Sequence, residues 1–504
     1  MKKIALLIVF FCLCITLFAN VSSKMIEEWQ MLSEDEKWFC LLSEPLMEQN
    51  SLSITTVNPE RYVPIGSKSA SQSILENSWE LFSREDVLNI IESYRLKQLG
   101  HAKTYNELKE KLNQTSKKSL EQLIIKECME TPLIARLYYV ADMQKTLGEY
   151  GLLAWDNGRM LSVLRWSIAA GWLSETEALN LAKPFIDEIL NSYDSWEDYA
   201  VHYAFGRVFY ALSIGKDYQE YLDKVLRCIK KYDIKVSENE KDKVFTYNNT
   251  KFPAKNQNNN RILKYADAVY KPSKDATPWI LAVRMGYFGE NYVTSSEYSI
   301  VTNFLERKIK IPAAGFLRAV MFYEKETAKL NEILNTYNGK NITDKDQAKI
   351  NKLYTTSFKK ILNYFDEANP AFENTENKND LYYNFYIYYA ATAYFANDVK
   401  KMSTTISMLD EEKCQTSGSQ NLYSIYYGYK AKEYATFGVY KKAIEYTKKA
   451  LSCIEKGRNL SGWSVISEEN MYSREKTLKQ MLRDYESLLK QEEYDRKSIN
   501  NNKA

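Results

Sequence analysis

Five side chains in the first half of this 504-residue chain are the best suited to chemistry: His101, Asp156, Arg159, Arg165 and Arg207. Asp156 and Arg159 stand three apart, a spacing that pairs them on one helix face. Trp155 and Arg159 stand four apart on the same face. Arginine presents a planar fork of donors that matches a carboxylate or phosphate. One reading therefore gathers Arg159, Arg165, Arg207 and His101, with Asp156, around a pocket for an anionic ligand. The other reading is structural: a buried arginine must be paired, and helices exchanging such pairs would account for the same residues, with Trp155, Trp172 and Trp196 as core aromatics. Both readings stand at this point.

Enzyme chemistry has weaker support. The chain holds two histidines, His101 and His202, too few for a multi-histidine metal centre. It contains no GxSxG elbow, phosphate loop or HExxH helix. Asp156, Glu177 and Glu197 sit near helix starts, where carboxylates ordinarily act as caps and dipole partners. No catalytic residue, metal ligand or cofactor is assigned. A net charge of +3 gives no electrostatic case for nucleic acid. Seven cysteines include two in the first 19 residues. The other five (Cys40, Cys128, Cys228, Cys414 and Cys453) are widely spaced and read as small buried apolar residues, not a disulfide framework.

The elements that must position these residues are helices. Only 17 glycines and 10 prolines interrupt the chain, while 39 tyrosines supply large side chains with one polar end. The spacings Ser33-x-x-Glu36, Ser83-x-x-Asp86, Ser174-x-x-Glu177 and Ser195-x-x-Asp198 mark helix starts as capping boxes or close variants. The helix after Ser83 is expected to stop at Gly100, and the one after Ser174 to break or kink at Pro184. Residues 133–147 and 154–170 also read as helices, and Gly171 stands where a C-cap glycine belongs. Residues 51–73, with Pro59 and Pro64, are the least helical stretch and suit a small hairpin or a loop. Polar breaks are expected at 338–346 and 369–379. The predicted fold is all-α, a helical N-terminal domain followed by helical hairpins.

The residues most informative about kinship are Leu153-Ala154-Trp155-Asp156-Asn157-Gly158-Arg159, Arg165-Trp166, and Gly171-Trp172-Leu173-Ser174-Glu175-Thr176-Glu177-Ala178. Ser195-Trp196-Glu197 and Gly206-Arg207 follow them. Upstream stand Trp29, Glu36-Lys37-Trp38, Trp79, Ser83-Arg84 and Gly100-His101. Over about residues 25–225 this order of blocks resembles the DUF1266 family. The resemblance implies a helical domain in which Trp155, Gly158, Gly171, Ser174, Glu177, Trp196 and Gly206 are motif positions. It names no reaction, since the family has no established activity.

The C-terminal third resembles a tetratricopeptide repeat over residues 381–457. Tyr427, Ala431, Tyr434, Gly438, Ala443 and Tyr446 follow such a unit, and Ala391, Tyr394 and Asn397 take the places of Ala431, Tyr434 and Phe437 in a degenerate copy. The implied organisation is a leader (1–19), the DUF1266-like domain (25–225), a linker or excursion (226–260), a helical region (261–380), the hairpins (381–457) and a final helix with its tail (458–504). The leader expectation rests on Lys2 and Lys3, the apolar run Ile4 to Phe18, and Ala19 before polar residues, which is the form of a secretory signal. At about 15 residues the run is short for a membrane span. An uncleaved anchor, the alternative, would be the chain's one membrane contact. The expected function is a non-enzymatic binding or scaffold protein of the periplasm or bacterial envelope, with Tyr427 and Tyr434 on a surface for an unknown protein partner. The alternative is a small-anion site or enzyme built from Asp156, Arg159 and Arg207.

Overall fold

The computed structural model describes residues 27–50, 52, 55–62, 69–115, 120–227, 262–337, 343–460 and 468–501. The expected leader lies outside them, as do Cys228 and nearly all of the expected 226–260 linker. The described residues are helical, with short 3-10 turns and no strand. The fold class read from the sequence holds, and the candidate hairpin at 51–73 has no strand among its described residues. No helix among the described residues is long and apolar enough to cross a membrane.

The chain divides into two compact units. The first comprises residues 1–117 and 132–298, the second 118–131 and 299–504. This division does not follow the 225/261 boundary expected from composition. Residues up to 298 belong with the first unit, and a short internal segment belongs with the second.

The first unit begins with α1 (27–31), α2 (Glu34–Gln49), α3 (Ala70–Trp79), α4 (Arg84–Arg95) and α5 (His101–Asn113). After the excursion into the second unit it continues with α7 (Thr131–Leu147), α8 (Leu153–Ala169), α9 (Glu175–Ser192), α10 (Trp196–Ser213), α11 (218–227) and α12 (Ala276–Phe288). Helix α8 is the centre, packed against α2, α3, α4, α5, α9 and α10. All but three of its residues are buried, so its sequence has no single polar face. Ser83, Ser174 and Ser195 each accept a hydrogen bond from the backbone N–H three residues on, as their spacing predicts. Helix α9 runs unbroken through Pro184, which is exposed on its outer side.

Two glycines set the crossing of α8 and α10. A Cβ on Gly206 would lie 2.1 Å from the Trp155 Cβ. A Cβ on Gly158 would lie 2.5 Å from the Tyr199 hydroxyl. Each helix thus gives up one side chain to seat an aromatic of the other. The mid-helix glycine before Arg207, costly for helix propensity, is explained by this close approach.

The second unit holds α6 (Leu120–Lys126), most of α13 (Ser295–Arg307), α14 (Pro312–Asn335), α15 (Asp344–Glu373), α16 (Asp380–Phe395), α17 (Val399–Ile406), α18 (Ser417–Thr436), α19 (Tyr440–Arg458) and α20 (Glu468–Asn501). Helix α15 continues through Pro370 to Glu373, so the break expected from 369 begins only at Asn374. Helices α16 and α17 pair, as do α18 and α19, and α20 packs on α19. Asn397 (φ 58°) and Gly438 (φ 69°) make the two corresponding turns. Ala450, Ile454 and Leu478 form the core between α19 and α20.

Candidate functional site

The residues singled out in the sequence separate into two places. Asp156, Arg159, Arg207 and His101 come together. Arg165 does not join them: it is fully buried on another side of α8. Its Nη1 donates to Ser43 Oγ at 2.8 Å, its Nη2 to the Thr56 carbonyl at 2.6 Å, and its Nε to the Val57 carbonyl at 3.3 Å. Burial lowers its pKa. Arg165 pins residues 55–57 and α2 to the central helix and faces no ligand space.

At the other place, α8 supplies Trp155, Asp156 and Arg159, the start of α5 supplies His101, and α10 supplies Arg207, Phe209 and Tyr210. Asp156 Oδ2 accepts the Ala102 N–H at 2.7 Å. It caps α5 from 54 residues away, because the N-cap itself is Gly100 and has no side chain to do so. Gly100 sits at φ 111°, and a Cβ there would meet Asp156 Oδ2 at 2.4 Å. Glycine is required by conformation and by space alike. Asp156 Oδ1 is buried with no hydrogen-bond partner among the described residues. It lies 3.5 Å from His101 Nδ1 and 3.9 Å from the Arg159 guanidinium.

Arg159 Nη1 lies 3.0 Å from His101 Nδ1. A guanidinium can only donate, so this contact is a hydrogen bond in the tautomer whose Nδ1 carries no proton. Burial lowers the His101 pKa, Asp156 opposes this, and Arg159 adds to the lowering. Arg159 packs over Trp79 at 4.3 Å and over Trp155 at 5.0 Å. Arg207 packs over the same Trp155 ring at 5.2 Å, over Tyr210 at 5.5 Å and over Tyr221 at 4.5 Å. Arg136 on α7 completes the group, over Phe209 at 4.7 Å with its Nε donating to the Phe209 carbonyl at 3.3 Å. Burial brings the Arg136 guanidinium down to about 10 and lowers Arg207 as well.

Three guanidinium groups and one carboxylate thus share an aromatic floor of Trp155, Phe209 and Tyr210. Arg136 and Arg207 make no ion pair among the described residues, and Arg207 Nε is buried without a hydrogen-bond partner. Sequence reasoning missed Arg136. Its signal was a lone charge in the apolar run Leu133 to Val140. On the α5 and α9 side, Asp156 and Asn157 also floor a recess of about 570 Å³ that no arginine lines. Its rim is acidic: Lys97 lies 2.9 Å from Glu188 and Lys103 3.7 Å from Glu107, and Glu110 and Glu149 line it as well.

The remaining motif residues are structural in placement. Ser174 caps α9, and Glu177 pairs with Arg84 on α4 instead of closing the capping box. Gly171 needs its φ of 75°, since a Cβ there would meet nothing. Trp196 stacks on Trp38 at 5.2 Å. Glu197 and Asp198 accept the N–H groups of Tyr265 and Leu263, at 2.6 and 2.8 Å. His202 is buried with Nδ1 3.0 Å from the Asp198 carbonyl. Cys40, Cys128, Cys414 and Cys453 are buried and free, and burial raises their pKa values to about 11 or 12. No group of metal-ligating side chains occurs among the described residues. In the second unit, Tyr427 donates to Glu411 and Tyr434 stacks on Tyr446 at 5.3 Å.

The chain is similar to two proteins of Escherichia coli (strain K12), both uncharacterised. It is 28% identical to YbeU over 143 residues, covering 28% of this chain and 59% of that protein. It is 28% identical to YbeR over 136 residues, covering 27% of this chain and 56% of that protein. The chain therefore spans a little over half the length of each. No solved structure matches it. Residues 74–234, the stretch that carries α8, α10 and every member of the arginine cluster, match the family described as protein of unknown function (DUF1266).

Proposed function

We propose that this is an exported helical binding protein whose first unit holds a small anion at Arg136, Arg159 and Arg207. One observation carries the reading: Arg207 is largely buried on three aromatic rings, and neither it nor Arg136 has a carboxylate partner among the described residues. An uncompensated buried cation is costly. One carboxylate, Asp156, cannot balance three guanidinium groups. A bound phosphate or carboxylate would supply the missing charge. The reading is binding, with no reaction assigned.

The test is titration of the full chain with inorganic phosphate, followed by calorimetry and thermal melting. Arg207→Gln and Arg159→Ala should each abolish binding. An unchanged melting temperature with lost binding supports the site. Lower melting with no phosphate binding by the parent protein returns the cluster to a packing role.

The second unit favours a partner surface in addition. The paired helices α16–α17 and α18–α19 support a short tetratricopeptide-like array, and Phe437 at the α18–α19 turn is 74% exposed beside exposed Val439. On this reading Tyr427 and Tyr434 brace the hairpin through Glu411 and Tyr446, and its tip meets the partner. Affinity capture from envelope fractions, with and without the region after Asn379, checks this part. Export itself is tested by N-terminal sequencing of the mature protein, which should begin after Ala19.

A further inference from the structure

The turn between α18 and α19 closes on its own backbone. Gly438 donates its N–H to the Ala435 carbonyl at 3.0 Å, and the Val439 N–H reaches the Tyr434 carbonyl at 2.9 Å. With Gly438 at φ 69°, these two bonds satisfy the end of α18 in the form common at glycine-ended helices. Tyr434 is held in turn by its stack on Tyr446. The turn makes no use of the Phe437 ring, which is 74% exposed and has no ring contact among the described residues. A Cβ on Gly438 would meet nothing within 4 Å, so the chain faces open space here. Phe437 and exposed Val439 thus form a fixed apolar point at the end of the hairpin.

The charge around this point has one sign. Between residues 430 and 442 stand Lys430, Lys432, Lys441 and Lys442 against one carboxylate, Glu433. Lys430 answers Glu433 at 2.9 Å. Glu445, the next carboxylate along α19, is taken by Lys449 at 3.0 Å. Lys432, Lys441 and Lys442 are exposed and make no ion pair among the described residues. Lys432 lies in the last turns of α18, and Lys441 and Lys442 in the first turn of α19, so unpaired charge flanks the apolar point on both helices.

A protein partner would need a socket shaped for this point. A bilayer surface needs none. An apolar ring can enter the boundary between headgroups and acyl chains, while lysine stems let their ammonium groups stay at the phosphates. Anionic lipid adds roughly fivefold in affinity for each lysine near its surface.

We propose that the α18–α19 tip docks on an anionic phospholipid surface, with Phe437 and Val439 entering the headgroup boundary and Lys432, Lys441 and Lys442 meeting lipid phosphates. This rests on the reading of that tip as a partner surface and names what it meets. The contact is separate from the apolar run at 4–18 and needs no helix that crosses the bilayer.

The experiment uses the chain from Asn20 onward, which keeps every described residue and removes the apolar run as a source of binding. It is sedimented with vesicles of phosphatidylglycerol and phosphatidylethanolamine in equal parts, and with vesicles of phosphatidylcholine. Binding should be confined to the anionic vesicles and should weaken as salt is raised. Phe437→Ser should weaken it about tenfold. Lys441→Gln combined with Lys442→Gln should weaken it roughly twenty-five-fold. Melting temperatures should not change, since all three positions are exposed. Equal binding to both kinds of vesicle, or parent-like binding by either variant, overturns the lipid contact. If the parent binds no vesicle but Phe437→Ser loses proteins captured from envelope fractions, the lipid contact falls and the tip stands as a protein-binding surface. If Phe437→Ser changes neither readout, both readings fall.

Discussion

Asp156 spends one oxygen on the start of α5 and leaves the other beside His101 and Arg159. The pH response of the site follows from this. Burial puts the folded-state pKa of His101 below its ordinary value of 6.5. The unfolded chain then binds the proton first as pH falls. The stability this histidine contributes is complete above about pH 6.5 and is lost as pH drops below it. In urea melts, the stability difference between the parent protein and His101→Gln should shrink from pH 7 to pH 5. A constant difference would show that His101 does not titrate in folding. The glycines give a second residue-scale series. Gly206→Ala gains about 1 kcal/mol of helix propensity but drives a methyl into Trp155, so it should lose about 1–3 kcal/mol net by urea denaturation. Gly171→Ala meets open space and should lose only about 1–2 kcal/mol, through its left-handed backbone. The spacing of Asp156 and Arg159 made their proximity legible in the sequence. The separation of Arg165 was not legible, because its partners other than Ser43 are backbone carbonyls, at residues 40, 56 and 57, and carbonyls leave no mark on a sequence.

Helix starts were legible for a local reason: a serine cap and the N–H it satisfies are three residues apart. Ser83, Ser174 and Ser195 all cap as their spacing predicts. Gly100 shows the limit. It reads as the end of the helix that starts after Ser83, yet α4 ends at Arg95 and Gly100 is the N-cap of α5. Its capping oxygen comes from Asp156, far along the chain. Pro184 likewise reads as a break, but α9 passes through it, held by buried Ala178 and Ala182 before it and Phe185, Ile186 and Ile189 after it, and α15 runs on through Pro370 in the same way. The two kinds of feature predict opposite signs in one helix. Ser174→Ala should cost α9 about 1 kcal/mol. Pro184→Ala, at an exposed position, should raise stability by roughly 1 kcal/mol by restoring the backbone donor. Denaturant midpoints of the two variants check this, and a loss with Pro184→Ala would mean that the proline shapes the helix.

The all-helical character of the molecule could be read from its scarcity of glycine and proline. The assignment of α6 could not: Leu120 to Lys126 is a short amphipathic stretch with nothing to say which core it joins. It joins the second unit. The Glu376 N–H donates to the Lys126 carbonyl at 3.0 Å, and Asn379 Nδ2 donates to the Cys128 carbonyl at 2.8 Å. Lys308 pairs with Glu121 in the same unit. A fragment of residues 299–504 should therefore melt well below the second unit of the full chain. A synthetic peptide of residues 118–131 should bind it and raise its melting temperature. A fragment that melts at the parent temperature without the peptide would show that α6 is dispensable. The same arrangement bears on how the molecule is made. The ribosome releases residues 118–131 before any residue beyond 298, so α6 emerges with no partner yet synthesised. The first unit can close early only by leaving that segment looped out. The second unit completes itself last, by taking back a piece of chain made long before.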